Sequence, residues 1–138
     1  METGKTASNP MTPDLADTLE WQLRAVGINN EHDLQTRIIQ IITDRGGVAT
    51  RVNSGGAISK RGGRIKLAEA GTSDIIACYR GQYLAIEVKY LEEKVSEKQQ
   101  EFGNKVDKAG GWFVVARNLA NIDWVLDEIE QYLERSEK

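Results

Sequence analysis

Two apolar runs, Asp74 to Tyr79 and Gln82 to Tyr90, are separated by Arg80-Gly81 alone, and no other segment restricts the fold so tightly. Both are rich in Ile, Val, Leu and Tyr, which suit a pleated and largely buried surface. With so short a joint they must fold back on each other as an antiparallel hairpin. If the turn is just those two residues, Tyr79 pairs with Gln82 and, five steps on, Asp74 pairs with Glu87. Arg is a poor first residue for a type I′ turn, which needs positive φ at both central positions, and a three-residue turn would shift the pairing by one. Alternation along the second run puts Tyr83, Ala85, Glu87 and Lys89 on one face and Leu84, Ile86, Val88 and Tyr90 on the other. The second face is uniformly apolar and belongs to the core.

The flanking segments supply the layers. Residues 1–11 are expected to be a flexible tail, and 12–29 an N-terminal helix with Thr12 as N-cap, Pro13 at the first helical position and Leu15, Leu19, Leu23 and Val26 at helical spacing before Gly27. Asn30 caps the next helix, which carries Leu34, Ile38, Ile41 and Ile42 on one stripe until Gly46-Gly47. Glu31 extends that stripe at its N-terminal end. Val48 to Asn53 reads as a strand, followed by NSGGAISKRGGRIK, whose glycines argue against a regular element. A third helix opens at Ser96 with Gln99 at the capping-box position, Trp112 to Arg117 forms a strand, and a last helix covers about Ile122 to Glu134 with Val125, Ile129, Tyr132 and Leu133 inward. The order helix, helix, three strands, helix, strand, helix predicts an α/β domain over 30–138, a mixed sheet flanked by helices.

At 138 residues, 40% of them hydrophobic, the chain fits one folded domain. No apolar stretch is long enough for a membrane span, Met1-Glu2 does not open a secretory signal, and the single Cys78 cannot form an internal disulfide, so a cytoplasmic location without membrane partners is expected. The net charge of −3 argues at first against nucleic acid. Its distribution reverses that impression, because Arg45 to Ala68 holds six basic residues (Arg45, Arg51, Lys60, Arg61, Arg64 and Lys66) and no acid. A +6 segment in an acidic chain is a local footprint for phosphate, or else a solvated loop.

Asp74 opposite Glu87 places like charges about 5 Å apart, which is destabilising unless something offsets it. A divalent cation would, since two carboxylates with water and substrate phosphate describe a magnesium site, and Lys89 on the same face can act on a bound water. An ordinary Glu87–Lys89 ion pair with Asp74 capping the strand is the alternative.

The strings GTSDII (71–76), LAIEVK (84–89) and VSEKQQEF (95–102), with a helix-borne Glu before them and a loop like the NSGG stretch, resemble the virus-type replication-repair nuclease domain (VRR-NUC) of the PD-(D/E)xK nuclease superfamily. The likeness covers roughly residues 30–118; Ser73 stands where a Pro often precedes the Asp. It implies a restriction-endonuclease-like αβββαβ core, here with an extra N-terminal helix. It further implies Mg²⁺ or Mn²⁺ held by Asp74, Glu87 and the main-chain carbonyl of Val88, with Glu31 contributing through a water. Lys89 would act on the attacking water, and Glu31 and Gln99 would complete the catalytic set. Each of the last two has a second reading: Glu31 suits a helix first turn in any case, and Gln99 completes a capping box. The implied activity is metal-dependent, structure-selective DNA hydrolysis by a homodimer, with branched DNA such as a Holliday junction as substrate. Arg51, Asn53, Ser54, Lys60, Arg61, Arg64 and Lys66 would grip the DNA backbone. An archaeal-type junction resolvase and a non-catalytic DNA-binding module are the alternatives.

The remaining features carry less. GKT at 4–6 lacks the rest of a P-loop. His32, the sole histidine, is expected to face solvent, and Cys78 to be a small core residue. Trp112 and Phe113 are expected in the core, Trp21 and Trp124 in the core or a subunit contact.

Overall fold

A computed structural model describes residues 15–52, 57–58, 64–65 and 71–137. Helices α1 (Leu15–Ala25) and α2 (Glu31–Asp44) precede strands β1 (Val48–Arg51), β2 (Ala57–Ile58), β3 (Arg64–Ile65), β4 (Ile75–Tyr79) and β5 (Gln82–Val88). Helix α3 (Glu97–Lys108), strand β6 (Trp112–Ala116) and helix α4 (Leu119–Ser136) complete the order. The main sheet runs β1-β4-β5-β6, antiparallel except for the parallel β5–β6 pair. It is the mixed sheet that the element order predicts.

The central hairpin keeps the two-residue turn. Tyr79 pairs with Gln82 and Ile75 with Ile86, while Arg80 and Gly81 both take positive φ, 52° and 79°. Arg80 accepts a left-handed conformation that costs an L-residue about 1–2 kcal/mol. The alternative register would cost far more, since a one-residue slip would turn Leu84, Ile86 and Val88 out of the core.

Those three side chains face a layer built from α2 and α4. Leu34, Ile38 and Ile42 of α2 and Ile122, Leu126 and Ile129 of α4 are fully buried against Ile75, Leu84 and Ile86. The opposite face of β5 is covered by α3, whose Gln99 reaches Glu87 and whose Val106 is buried, while Gly103 lies against Phe113 of β6. Both faces of the hairpin's open end are therefore dry, so that Glu87 and Lys89, polar residues at 1% and 6% exposure, lie inside the fold.

Helix α1 closes on the same core. Gly27 (φ 83°) lets the chain reverse, the Ile28 amide donates to the Leu23 carbonyl at 2.9 Å, and both side chains are buried. This six-to-one bond with an apolar contact across it is the Schellman ending. It also displaces Val26, expected inward, to 48% exposure, since Ile28 takes the buried position. The α1 stripe thus packs on the domain's own flank. The tail, Thr12, Pro13 and Asp14 lie outside the described residues.

Other expectations need correction. The last helix begins three residues early, at Leu119, because Asn118 and Asn121 form a reciprocal capping box that the Ile122 start overlooked. Tyr132 is 45% exposed and not interior, although its ring meets Trp112 edge-on at 5.8 Å. Cys78 is exposed, because it lies on the α3 side of β4 opposite the exposed Tyr83. The glycine-rich stretch holds a short ladder, Ala57 with Ile65 and Ile58 with Arg64, each strand of which directly follows a Gly-Gly pair.

Arg45 is spent on the fold. Its guanidinium reaches Asp127 at 2.8 Å, Glu130 at 2.9 Å and Asp123 at 3.3 Å on α4, and stacks over the Tyr79 ring. The Tyr79 hydroxyl donates to Glu130, whose carboxyl is held below its usual range by that bond and by Arg45. Arg45→Met is expected to lower the melting temperature by a few degrees, and less in high salt because these pairs are partly exposed. Melts at low and high ionic strength check this; an effect independent of salt would assign Arg45 a packing role instead.

Candidate active site

The end of the hairpin remote from its turn gathers the acids. The ladder ends at Ile75↔Ile86; one step beyond it stand Asp74 and Glu87, which by alternation both project towards the α3 side, as do Ile76 and Ala85. The Val88 amide donates to Asp74 Oδ2 at 2.8 Å, which fixes that carboxylate beside β5. Glu87 Oε1 accepts from Gln99 Nε2 at 2.9 Å, and the Lys89 ammonium lies 3.9 Å from the same oxygen.

Glu87 Oε2 is buried and meets no donor. The Glu87 carboxyl lies against that of Asp74, and two ionised carboxylates cannot bond without a proton or a cation between them. Burial, then hydrogen bonding to Asp74 and its charge, push the Glu87 carboxyl up to about 9, against the opposing pull of Lys89. The arrangement stores a strong preference for positive charge at that oxygen.

Gln99 satisfies both readings of the sequence at once. Its Oε1 accepts from the Ser96 amide at 2.8 Å, closing the capping box, and its Nε2 donates to Glu87. The cap holds the amide in the one orientation that presents a donor to the acid.

Glu31 comes from the other layer. It starts α2, is half-buried, and its carboxyl is raised to about 7 by burial, then by a shared hydrogen bond with Glu93 and by the charges of Glu93 and Asp74. Glu93 is the residue that the sequence reading missed. It follows Lys89 in a loop where Leu91 takes positive φ (56°), and Arg117 Nη1 holds that loop by donating to the Leu91 and Glu93 carbonyls at 2.9 and 2.6 Å. The only signal was the acidic pair Glu92-Glu93 just beyond the Glu-x-Lys strand, of which Glu93 is the one that meets Glu31.

The expected DNA-binding residues divide. Arg51 lies along α2, its guanidinium bonded to Gln35 Oε1 (2.9 Å), the His32 carbonyl (3.3 Å) and the Thr36 hydroxyl, on the rim near Glu31. Arg64 lies in β3. Asn53, Ser54, Lys60, Arg61 and Lys66 fall outside the described residues. His32 faces solvent, and Trp21 and Trp124 are 78% and 60% exposed.

Among the described residues no three Asp, Glu, His or Cys side chains form a ready-made cation cage. What the site offers is two facing carboxylates, one with an orphaned buried oxygen, beside the Val88 main chain. That donor set fits a hard divalent ion that keeps several waters and takes further oxygen from a substrate phosphate. No helix among the described residues is long and apolar enough to cross a membrane.

No known family profile matches the sequence, and no curated protein does. Several solved structures do match. One, described as a VRR_NUC domain, is 19% identical, with a TM-score of 0.51, over 70% of this chain and 94% of its own. The similarity spans nearly the whole of that domain, and the sheet order and layered helices are those of a restriction-endonuclease-like α/β core. The chain has the fold of a VRR_NUC domain.

Proposed function

We propose that this protein is a divalent-metal-dependent deoxyribonuclease of the PD-(D/E)xK type. The observation that carries the reading is the Glu87 carboxyl, lying against Asp74 with its buried Oε2 orphaned and the Lys89 ammonium held beside the same carboxylate. A purely structural site has no use for a buried carboxyl set against a second one, and a non-catalytic binding module would be more stable without the pair.

Asp74, Glu87 and the Val88 carbonyl would hold Mg²⁺ or Mn²⁺, with Glu31 acting through a water. The bound ion supplies Lewis acidity towards the phosphate and a more acidic water. Val88 N–H keeps Asp74 in place, and Gln99 fixes the rotamer of Glu87. Lys89, almost wholly buried, would act on the attacking water and stabilise negative charge growing on the phosphate. Arg51 at the rim and the basic residues of 53–66 supply backbone contacts. The finer reading is a homodimer cutting branched DNA, for which the exposed Trp21 and Trp124 offer apolar surface to a second copy.

The test is incubation of the protein with labelled four-way junction, flap, single-stranded and linear duplex DNA in Mg²⁺, Mn²⁺ or EDTA, beside Asp74→Ala and Lys89→Ala. Cutting is expected only with metal, and to fall at least about 100-fold in both variants, the equivalent of about 3 kcal/mol of transition-state stabilisation. Salt-sensitive DNA binding should persist in both. Equal cleavage by wild type and variants would remove these residues from the chemistry. Binding without cleavage under every metal would leave the binding module as the better account.

A further inference from the structure

At the opposite end of the β5/α3 seam lies an open cavity of about 500 Å³ whose lining includes Gln82, Tyr83, Phe102, Lys105, Val106 and Gly111. We propose that it receives an unpaired base of the nucleic-acid strand being cut, with Lys105 meeting the neighbouring phosphate. The inference rests on the nuclease reading and adds to it a substrate class, DNA with a single-stranded segment.

The cavity and the acid cluster share two elements. Tyr83 and Glu87 lie on the same face of β5, four residues and so about 13 Å apart. On α3, Gln99 touches Glu87, and Phe102 comes nearly one turn later on the same side. A strand with its scissile phosphate at Glu87 and running along this seam therefore reaches the cavity two to four nucleotides away, since stacked nucleotides rise about 3.4 Å each and extended ones more.

The lining suits a base. Tyr83, 45% exposed, and Phe102, half-buried, both line it, so two aromatic side chains are within reach of a base. Glycines keep it open: Gly81 and Gly110 carry no side chain to cover it, and a Cβ on Gly111 would come within 2.9 Å of Val106 Cγ1 and 3.0 Å of Tyr83 Cδ1. Among the described residues Lys105 is the sole charged one lining it, and no acid does. Aromatic platforms beside a cation bind single-stranded nucleic acid because every base has a π-face and every nucleotide a phosphate. An unpaired base is also what fits, because paired bases are not free to leave the duplex stack.

A flap duplex with a five-nucleotide single-stranded arm, labelled with fluorescein, tests this by anisotropy with Ca²⁺ replacing Mg²⁺, one abasic site being walked along the arm. Wild type is expected to weaken roughly tenfold when the abasic site falls at one position and little elsewhere. Tyr83→Ala should lose about as much on the intact arm and become indifferent to the abasic position, whereas Tyr83→Phe should keep the wild-type pattern. Lys105→Ala should lower the salt slope by about one. A wild type indifferent to every abasic position, or a Tyr83→Ala variant that keeps the wild-type pattern, would overturn the proposal. A protein that cuts DNA while Tyr83→Ala binds the intact flap as wild type does loses this inference alone. A protein that neither binds nor cuts any DNA loses the nuclease reading with it.

Discussion

Glu87→Gln is expected to abolish metal-dependent cutting and, at the same time, to stabilise the metal-free protein near pH 8. The two effects share a cause. The carboxyl is 1% exposed, turned to Asp74, and raised from 4.5 to about 9 by burial and by that neighbour. Below about pH 4.5 it is protonated in both the folded and unfolded states and carries no penalty. As pH rises towards about 9 the unfolded chain has released the proton while the folded chain retains it, so stability falls across that window. Each unit of displacement corresponds to about 1.4 kcal/mol, so by pH 8 the cost amounts to several kcal/mol in a fold whose total stability is on the order of 5–15. An amide keeps the bond from Gln99, can donate to Asp74, and has no proton to lose. The variant's melting temperature should therefore exceed the wild type's by several degrees at pH 8 and converge with it towards pH 4.5. Added Mn²⁺ should raise the wild type's melting temperature and leave the variant's unchanged. Loss of the charge that holds the ion removes several kcal/mol of transition-state stabilisation, about a thousandfold or more in rate. Undiminished cutting, or parallel stability profiles for the two proteins, would refute the assignment.

Gly103→Ala should destabilise the protein by about 1–3 kcal/mol, although alanine is the better helix former by about 1 kcal/mol. Gly103 is buried on α3 where the helix crosses β6, and a Cβ there would lie 2.4 Å from Phe113 Cδ2 and 2.7 Å from its Cγ. The clash reaches the root of the ring, so the ring cannot swing clear and the helix must lift. Because α3 carries Gln99, lifting it also loosens Glu87, and cutting should drop further than the unfolded fraction explains. Phe113→Leu in the same chain should recover part of the loss, a coupling that distant sites do not show. Denaturant titrations of the two single variants and the double variant measure it. A Gly103→Ala protein as stable as wild type would mean that the helix sits further from the sheet.

Much of the architecture is legible along the chain because it is local. A two-residue joint between apolar runs sets the register from Tyr79↔Gln82 to Ile75↔Ile86, and alternation then carries Asp74 and Glu87 to one face. Ser96 and Gln99 mark a helix start because the reciprocal bonds span only three residues. The same reasoning overlooked the Asn118–Asn121 box, whose short amide is a less familiar partner than Gln or Glu.

The basic segment illustrates what locality cannot give. Counting placed Arg45 and Arg51 in one basic footprint, yet Arg45 closes onto three acids of α4, while the Arg51 side chain is held along α2 by Gln35. Their partners stand some 80 and 16 positions away in sequence, and no spacing rule foresees such pairings.

By itself, then, the sequence determined the hairpin and its flanking strands, the Asn30 and Ser96 helix caps and the side-by-side placing of Asp74 and Glu87 that a two-residue turn entails, because each follows from steric rules acting over a few residues. Tertiary packing alone decided that α3 would seal the second face of β5, drive Glu87 and Lys89 out of water, and bring Glu93 to Glu31 through the Arg117-held loop. The perturbed carboxyls exist only in that packed state, since desolvation depends on what arrives from distant parts of the chain.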